Sequence, residues 1–211
     1  MNNENACEIH VTISPSHYRG EFLKACEKLQ ARGMNAVPLF ISNYHWGDKY
    51  SEWQEPEKLI AYNFTTPNIY KAYDTLKNIY YQFTHEKIRI VRGKIEVGPT
   101  HPEALKHKGL EGSDDKRYFE THFELQPWGL QHASAKDIAI SRINNKKFMG
   151  TFRSYDTTIS EFEKQVANLV GKDIHPEIEF CIYDSNVEYD KEWMESYNNH
   201  AENLRLMGTT I

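Results

Sequence analysis

Two short segments carry the residues best suited to chemistry, and each holds a glutamate and a histidine two positions apart. Glu8 precedes His10 in the first segment, and Glu120 precedes His122 in the second. Side chains two apart on a β-strand share a face, so each histidine would lie beside its glutamate. A carboxylate next to an imidazole can hold its tautomer and set a pKa near neutrality for proton transfer. We therefore predict His10, His122 and Glu120 as catalytic acid–base residues.

Other polar side chains on similar strand faces could bind a ligand. Arg142 and Arg153 flank two short strands joined by a tight turn, and with Lys94 they could hold a carboxylate or phosphate. The predicted ligand-binding residues are Thr12, Lys94, Glu96, Arg142 and Arg153. Two plainer interpretations stay open. The polar faces could simply be solvated, or the basic residues could pair with glutamates in a buried salt-bridge network.

Alternating and helical patterns predict the elements that position these residues. Alternation predicts strands at 7–13, 37–41, 59–64, 88–97, 117–125, 137–143, 148–153 and 177–183. Apolar residues at helical spacing predict helices over 22–29, 69–83 and 159–170, with a short helical piece at 130–136 and a last helix after Asp190. Thr157 or Thr158, with Glu161, is expected to cap the third of these helices.

This order of elements predicts an α+β protein of two ferredoxin-like (βαββαβ) halves, with mainly antiparallel sheets forming a shared cleft. Residues 1–98 would form the first half and 117–211 the second, which ends in a helix. The proline, glycine and charge of 99–116 predict a linker between them. Similar strands near the start of each half indicate an internal duplication that brings His10 and His122 into related places. The linker and the aromatic, loop-like segment 42–58 are candidate lids. For the aromatic residues of 42–58 we favour a different interpretation, in which they pack over the domain's own core.

Composition excludes several classes of protein. The chain has 211 residues, 39% of them hydrophobic, and a formal net charge of -5, which argues against a nucleic-acid binder with a broadly basic surface. Its three cysteines are scattered, so we expect reduced, buried thiols and no structural zinc. No signal peptide or bilayer-spanning apolar stretch is present, and we expect a cytoplasmic protein. No phosphate-binding or dinucleotide-binding glycine motif occurs, and the sequence identifies no cofactor.

The first histidine segment, His10-Val11-Thr12-Ile13, resembles the His-x-Thr/Ser-x strand motif of the two-histidine phosphoesterase superfamily. That resemblance implies a phosphoester substrate held by the hydroxyls. One imidazole would activate the nucleophile, and the other would protonate the leaving oxygen. In the second segment, Glu124 stands where the motif has its hydroxyl.

The two histidines also resemble part of a metal-binding set. His10 and His122, with a glutamate late in a following strand such as Glu96 or Glu179, are similar to the two-His, one-carboxylate set of the glyoxalase and extradiol dioxygenase superfamily. The predicted helix after Pro67 is additional to that superfamily's module.

A third resemblance covers more of the chain. The sequence is similar to a family of uncharacterised bacterial hypothetical proteins in the patterns Lys94-x-Glu96, Tyr118-Phe-Glu-x-His122, Ser141-Arg142 and Tyr183-Asp-Ser-Asn186. The resemblance implies a duplicated domain and no particular reaction. It points to the polar group Lys94, Glu96, Glu120, His122, Arg142 and Arg153.

These observations predict an enzyme that acts on a small anionic molecule, phosphorylated compounds included, by His/Glu acid–base chemistry. One alternative is a non-catalytic domain that binds a ligand or a partner protein, with the aromatic segment Tyr44 to Trp53 making much of the contact. A further alternative is a metalloenzyme of the glyoxalase or dioxygenase type. The sequence names no substrate, and it leaves the oligomeric state open.

Overall fold

The computed structural model describes residues 6–46, 51–53, 57–66, 68–109, 117–126, 138–144, 146–170 and 176–185. In chain order, its elements are β1 (Ala6–Ile13), α1 (Arg19–Ala31), β2 (Ala36–Trp46), β3 (Ser51–Trp53), β4 (Glu57–Thr65), α2 (Ile69–His85), β5 (Ile90–Val97), α3 (Pro102–Lys106), β6 (Tyr118–Leu125), β7 (Ala139–Ile143), β8 (Lys147–Ser154), α4 (Ile159–Val170) and β9 (Glu177–Ser185). Strand residues outnumber helical residues in this described part of the chain.

Eight of the strands form a closed antiparallel barrel. The order around the ring is β2-β4-β1-β5-β9-β6-β8-β7, and β7 pairs back onto β2. The first four strands of this order come from the N-terminal part of the chain and the last four from the C-terminal part. The short strand β3 pairs with the far end of β2, from Tyr44↔Trp53 to Trp46↔Ser51.

The prediction of two ferredoxin-like α+β halves around a cleft is therefore wrong. Strands from the two parts of the chain share backbone hydrogen bonds at two seams, β5 with β9 and β2 with β7. Closing a sheet on itself pairs the N–H and C=O groups that open edges would expose. One continuous barrel thus encloses an internal cavity, where the sequence had predicted two sheets facing each other.

The main apolar core lies between the outer face of this barrel and the helices that cover it. It includes Ile9, Val11 and Ile13 of β1, Ile95 of β5, Phe119 of β6 and Phe180 of β9, packed with Phe22 of α1, Leu76 and Phe83 of α2, and Phe162 of α4. The Phe119 ring lies 4.7 Å from that of Phe180 and 5.6 Å from that of Phe162, centroid to centroid. Burying each such ring stabilises the fold by about 1.5–3 kcal/mol. Since the apolar faces of the strands point outward, their polar faces point into the barrel.

The helix boundaries follow from local capping. The Thr158 backbone N–H donates to Glu161 Oε2 at 2.9 Å, and Glu161 N–H donates back to Thr158 Oγ at 3.4 Å, so the predicted capping box of α4 is confirmed. Helix α2 begins after Asn68, whose side chain accepts from the Tyr70 N–H at 3.0 Å. This Asn cap replaces the start at Pro67 that the sequence predicted.

Two segments predicted to be irregular contain regular structure. The described residues of the 42–58 segment are strand, because β2 continues to Trp46, β3 spans Ser51–Trp53, and β4 begins at Glu57. The predicted linker contains α3, and His107, the residue that follows this helix, is buried against the rings of Phe119 and Phe180. The rest of that linker at 110–116, the predicted helical piece at 130–136 and the predicted last helix lie outside the described residues. A lid function for either segment stays a prediction.

The cysteines and the helices agree with two simpler expectations. Cys7, Cys26 and Cys181 are free and buried, as predicted. Burial raises the pKa of Cys7 to about 11 and that of Cys26 to about 12, so both stay protonated thiols at neutral pH. No helix within the described ranges has the length and apolar character needed to cross a membrane.

Replacing Gly150 with alanine tests the packing behind β8. A Cβ at this position would lie 2.8 Å from Phe123 Cε2 and 3.0 Å from Ile138 Cγ2. We expect Gly150→Ala to lower the free energy of unfolding by about 1–3 kcal/mol, because overpacking forces its neighbours to shift. Urea unfolding followed by circular dichroism would measure the loss.

The matched control is Gly20→Ala in α1, where a Cβ would meet nothing within 4 Å. This variant should be as stable as the wild type or slightly more so, because alanine favours helix. Adding Phe123→Leu to Gly150→Ala should recover part of the lost stability. Equal stabilities of the two alanine variants would contradict the packing described for Gly150.

Candidate functional site

A cavity of about 570 Å³ occupies the interior of the barrel, and both predicted histidines line it. Its polar lining comes from Glu8, His10 and Thr12 of β1, Arg92 and Lys94 of β5, Glu120 and His122 of β6, Ser141 of β7, Thr151 and Arg153 of β8, and Glu177 and Glu179 of β9. The polar strand faces, for which solvation was an open interpretation, thus point into the barrel. Several of their charged side chains are fully buried. A cavity of this volume suits a small molecule.

His10 lies between two carboxylates. Its Nε2 is 2.6 Å from Glu8 Oε1, and its Nδ1 is 3.2 Å from Glu96 Oε2. The pairing of β1 with β5 creates this arrangement, since Glu8 lies directly across from Glu96. Burial alone would lower the pKa of His10, but the Glu8 hydrogen bond and the Glu96 charge outweigh it and raise that pKa. Burial likewise opposes the ionised form of Glu8, yet His10 holds the pKa of Glu8 below its usual value.

Lys94 joins the two parts of the chain across the barrel interior. Its ammonium group contacts both Glu96 of its own strand and Glu120 of β6, and all three side chains are buried. Burial disfavours the lysine's charge, but the two carboxylates more than compensate and raise its pKa. Glu120 remains ionised in spite of burial, because His122, Lys94 and Arg153 hold its pKa well below the usual range. Burial instead raises the pKa of Glu96, even beside Lys94.

His122 lies beside two carboxylates and one hydroxyl. Its Nε2 is 2.9 Å from Glu120 Oε1 and 3.5 Å from Glu179 Oε2, and its Nδ1 is 2.9 Å from Thr151 Oγ. In the sheet, Glu120 faces Glu179 on β9, and His122 faces Thr151 on β8. Burial, then the charge of nearby Glu96, raises the pKa of Glu179 well above its usual value.

One group among the described residues could hold a metal ion. A ligand atom each from Glu120, His122 and Glu179 lies within 4.8 Å of the other two. His10 is not part of this group, so the predicted two-histidine set is not brought together. Glu179 was one of the carboxylates suggested for that set, and here it lies beside His122.

Sequence reasoning missed a second, partly buried ion pair. Arg92 donates to both carboxylate oxygens of Asp184, from Nε at 2.6 Å and from a terminal nitrogen at 2.5 Å, and the Tyr118 hydroxyl donates to Asp184 Oδ2 at 2.7 Å. Simple alternation along β9 would place Asp184 on the outer face with Ile182. A β-bulge opposite Ile95 and Glu96 shifts that phase, which places Asp184 directly across from Lys94. The only signal for this contact in the sequence was that Arg92 and Tyr118 carry polar end groups, which need a partner when they are enclosed.

The predicted ligand-binding residues are only partly brought together. Thr12, Lys94 and Arg153 line the main cavity, and Arg153 donates from Nε to Glu120 Oε2 at 2.6 Å. Glu96 borders a second cavity of about 460 Å³ at one end of the barrel. Arg142 lies on β7 between Ser141 and Ile143, which do line the main cavity, so its side chain belongs to the other face. The predicted pairing of Arg142 with Arg153 around one anion is not formed.

The opposite part of the cavity wall is largely apolar. Strands β2, β4, β7 and β8 contribute Leu39, Ile41, Leu59, Ile143 and Met149, together with the polar Asn43 and Ser141. The charged residues come mainly from β1, β5, β6 and β9, which adjoin one another in the ring. The cavity therefore has one charged side and one apolar side.

Comparison with known proteins gave no relative: a scan of family models, a search of curated proteins and a search of solved structures each found no match. The three resemblances in the sequence stay predictions that rest on the residues quoted for them.

The histidine environments predict distinct titrations. We expect His10 to titrate above the ordinary value of about 6.5 and His101 below it, because carboxylates surround His10 whereas burial dominates at His101. Since protonated His10 is favoured in the folded protein, its stabilising contribution is complete below the unfolded pKa and is lost as pH rises through the folded one. NMR titration of the imidazole resonances would measure both values.

Glu8→Gln should lower the pKa of His10 while leaving that of His101 unchanged. The His10→Gln variant assigns the resonance by its disappearance. A His10 resonance that titrates at or below the ordinary histidine value would contradict the described carboxylate contacts.

Proposed function

We propose that this protein is an enzyme that acts on a small anionic molecule bound inside the barrel, with His10 transferring a proton and phosphate esters as the leading substrate class. The observation that carries the proposal is the Glu8–His10–Glu96 arrangement on the wall of a cavity of suitable volume. Positioned acids and bases of this kind are the usual agents of proton transfer in enzymes.

The two carboxylates around His10 have different roles. Glu96 is 1% exposed and contacts Lys94, and its carboxylate, 3.2 Å from Nδ1, favours the protonated imidazole by its charge. Glu8 is 32% exposed and lines the cavity, so it can yield Nε2 to a substrate. Because the pKa of His10 is raised and that of Glu8 lowered, a proton shared by the two groups is favoured on His10. His10 is therefore poised as a general acid.

For a phosphate ester, this assignment gives a balanced hydrolysis. Water adds to phosphorus, the bond from phosphorus to the ester oxygen breaks, and the leaving oxygen takes the proton from His10 Nε2. The proton lost by the water passes to the Glu8 carboxylate. It then returns to His10, whose Nε2 lies 2.6 Å from Glu8 Oε1, and the resting state is restored.

Two arginines are suited to hold the anionic group. The side chains of Arg92 and Arg153 are 36% and 40% exposed, and both line the cavity. Arg153 contacts Glu120 through Nε, so its two terminal nitrogens can reach an anion in the fork geometry that phosphate favours. The Thr12 hydroxyl is a further donor from the strand that carries His10.

The apolar side of the cavity constrains the rest of the substrate. Leu39, Leu59 and Met149 offer contacts to a hydrocarbon or aromatic body and none to a second charge. The cavity therefore suits a substrate in which an anion is joined to an apolar group, such as an aryl or alkyl phosphate, better than a highly charged sugar phosphate.

Activity against phosphomonoesters and phosphodiesters with aryl leaving groups tests the proposal. We expect His10→Gln to lower kcat by about 10²–10⁴-fold, the usual contribution of a general acid. The wild-type kcat should fall as pH rises through the pKa of His10, because the protonated form is the one required. His85→Gln, which changes an exposed histidine at the end of α2, is the matched control and should leave the rate unchanged.

Two results would count against this function. Turnover unchanged in His10→Gln would remove the proton-transfer role. Binding of aryl phosphates by the wild type without any turnover would favour the non-catalytic ligand-binding alternative.

A further inference from the structure

We propose that Glu120, His122 and Glu179 form a binding site for a divalent transition-metal ion, with Mn²⁺ the best match, on the β6–β9 wall of the cavity. This site deepens the proposed function by supplying positive charge next to the substrate, but the binding itself can be tested without any substrate. It also assigns His122 and Glu120 to ion binding, in place of the acid–base roles that the sequence predicted.

The spacing of the three ligand atoms suits one ion. Two ligands at right angles, each about 2.1 Å from a metal, lie about 3.0 Å from each other. His122 Nε2 is 2.9 Å from Glu120 Oε1 and 3.5 Å from Glu179 Oε2, and one ligand atom from each of the three residues lies within 4.8 Å of the other two. Small side-chain movements would therefore bring these three ligand atoms into adjacent positions around one ion.

An independent observation is the state of Glu179 Oε2. This oxygen is buried and accepts no hydrogen bond from the described residues, since His122 Nε2 stays 3.5 Å away. Lys94, which contacts both Glu96 and Glu120, makes no such contact with Glu179. Buried carboxylate oxygens are normally served by a donor or bound to a cation. A bound cation would satisfy the unserved oxygen of Glu179.

The hydrogen bonding of His122 fits a ligand. Histidines that bind metals almost always donate their other ring N–H to a neighbouring acceptor, which fixes the tautomer. Thr151 Oγ lies 2.9 Å from His122 Nδ1 and can accept that proton. The lone pair of Nε2 then points toward Glu120 and Glu179, an arrangement that a cation between the three groups stabilises.

The basic side chains of the cavity are already engaged by carboxylates. The lining includes four glutamates and three such side chains, Arg92, Lys94 and Arg153. All three contact carboxylates. A dication next to Glu120 and Glu179 would add positive charge that is not yet paired and could bridge the protein to an anionic substrate.

The ligand types select among metals. Two carboxylates and one imidazole suit Mn²⁺, because carboxylates favour hard ions and imidazole favours transition metals over Mg²⁺. Thiolate-preferring ions are disfavoured, since the group contains no cysteine.

Direct binding of Mn²⁺ by tag-free, EDTA-stripped protein tests the site. Electron paramagnetic resonance of free Mn²⁺ would measure affinity, and a thermal shift would give a second readout. We expect stoichiometric binding that Glu179→Gln and His122→Asn each weaken at least tenfold. The matched control is Glu124→Gln on the same strand, where the side chain is exposed and contacts Lys147, and its affinity should be unchanged.

Folding and function are separated by further variants. Glu179→Gln should melt no lower than the wild type in EDTA, because it removes a carboxylate without a hydrogen-bond donor, so its loss of binding cannot reflect unfolding. If His122→Asn fails to fold, Thr151→Val serves instead, with an expected loss of affinity of about 10–100-fold. His10→Gln should keep the Mn²⁺ affinity of the wild type. Loss of activity in this variant without loss of Mn²⁺ binding would show that proton transfer has failed while the metal site is intact.

Three outcomes would overturn the site. The first is no binding of Mn²⁺, Zn²⁺ or Mg²⁺ at millimolar concentration. The second is unchanged affinity in both Glu179→Gln and His122→Asn, which would place the ion elsewhere. The third is an equal loss of affinity in Glu124→Gln, which would indicate nonspecific binding to acidic surface.

Discussion

The contact of Lys94 with Glu96 and Glu120 is the interaction on which the interior of the barrel depends. Removing charges from water is costly, and the cost is offset only where opposite charges and hydrogen bonds meet in good geometry. Lys94 satisfies a carboxylate from each part of the chain, although β9 separates its strand from β6. The same two carboxylates adjoin the histidines, Glu96 at 3.2 Å from His10 and Glu120 at 2.9 Å from His122, so this one ammonium group holds a neighbour of each.

Much of the local structure could be predicted from the sequence because it depends on periodicity. Alternation located β1, β5, β6 and β9, and it placed Glu8 with His10 and Glu120 with His122 on common faces. Helical spacing located α1, α2 and α4 to within a few residues. These features need only neighbouring residues, since a buried face imposes its period on any strand or helix.

What could not be predicted depends on contacts between distant strands. No local pattern specifies that β5 pairs with β9 and β2 with β7, so the polar faces were expected to line a cleft or to be solvated, whereas they enclose a cavity. The bulge in β9 is also invisible to alternation, and so the partnership of Arg92 with Asp184 was missed. Arg142 is not among the residues that line the main cavity, so its role in an anion site stays a prediction.

The seam between β2 and β7 joins Ile41 to Ile143, which are about one hundred residues apart along the chain. Bringing such distant segments together costs chain entropy that only the completed contacts repay, so pairings of this kind form slowly. The four N-terminal strands and the four C-terminal strands can each assemble from nearer neighbours before the ring closes. The cavity comes into existence only at that last step, so anything that binds within it holds the two parts of the chain together and slows their separation.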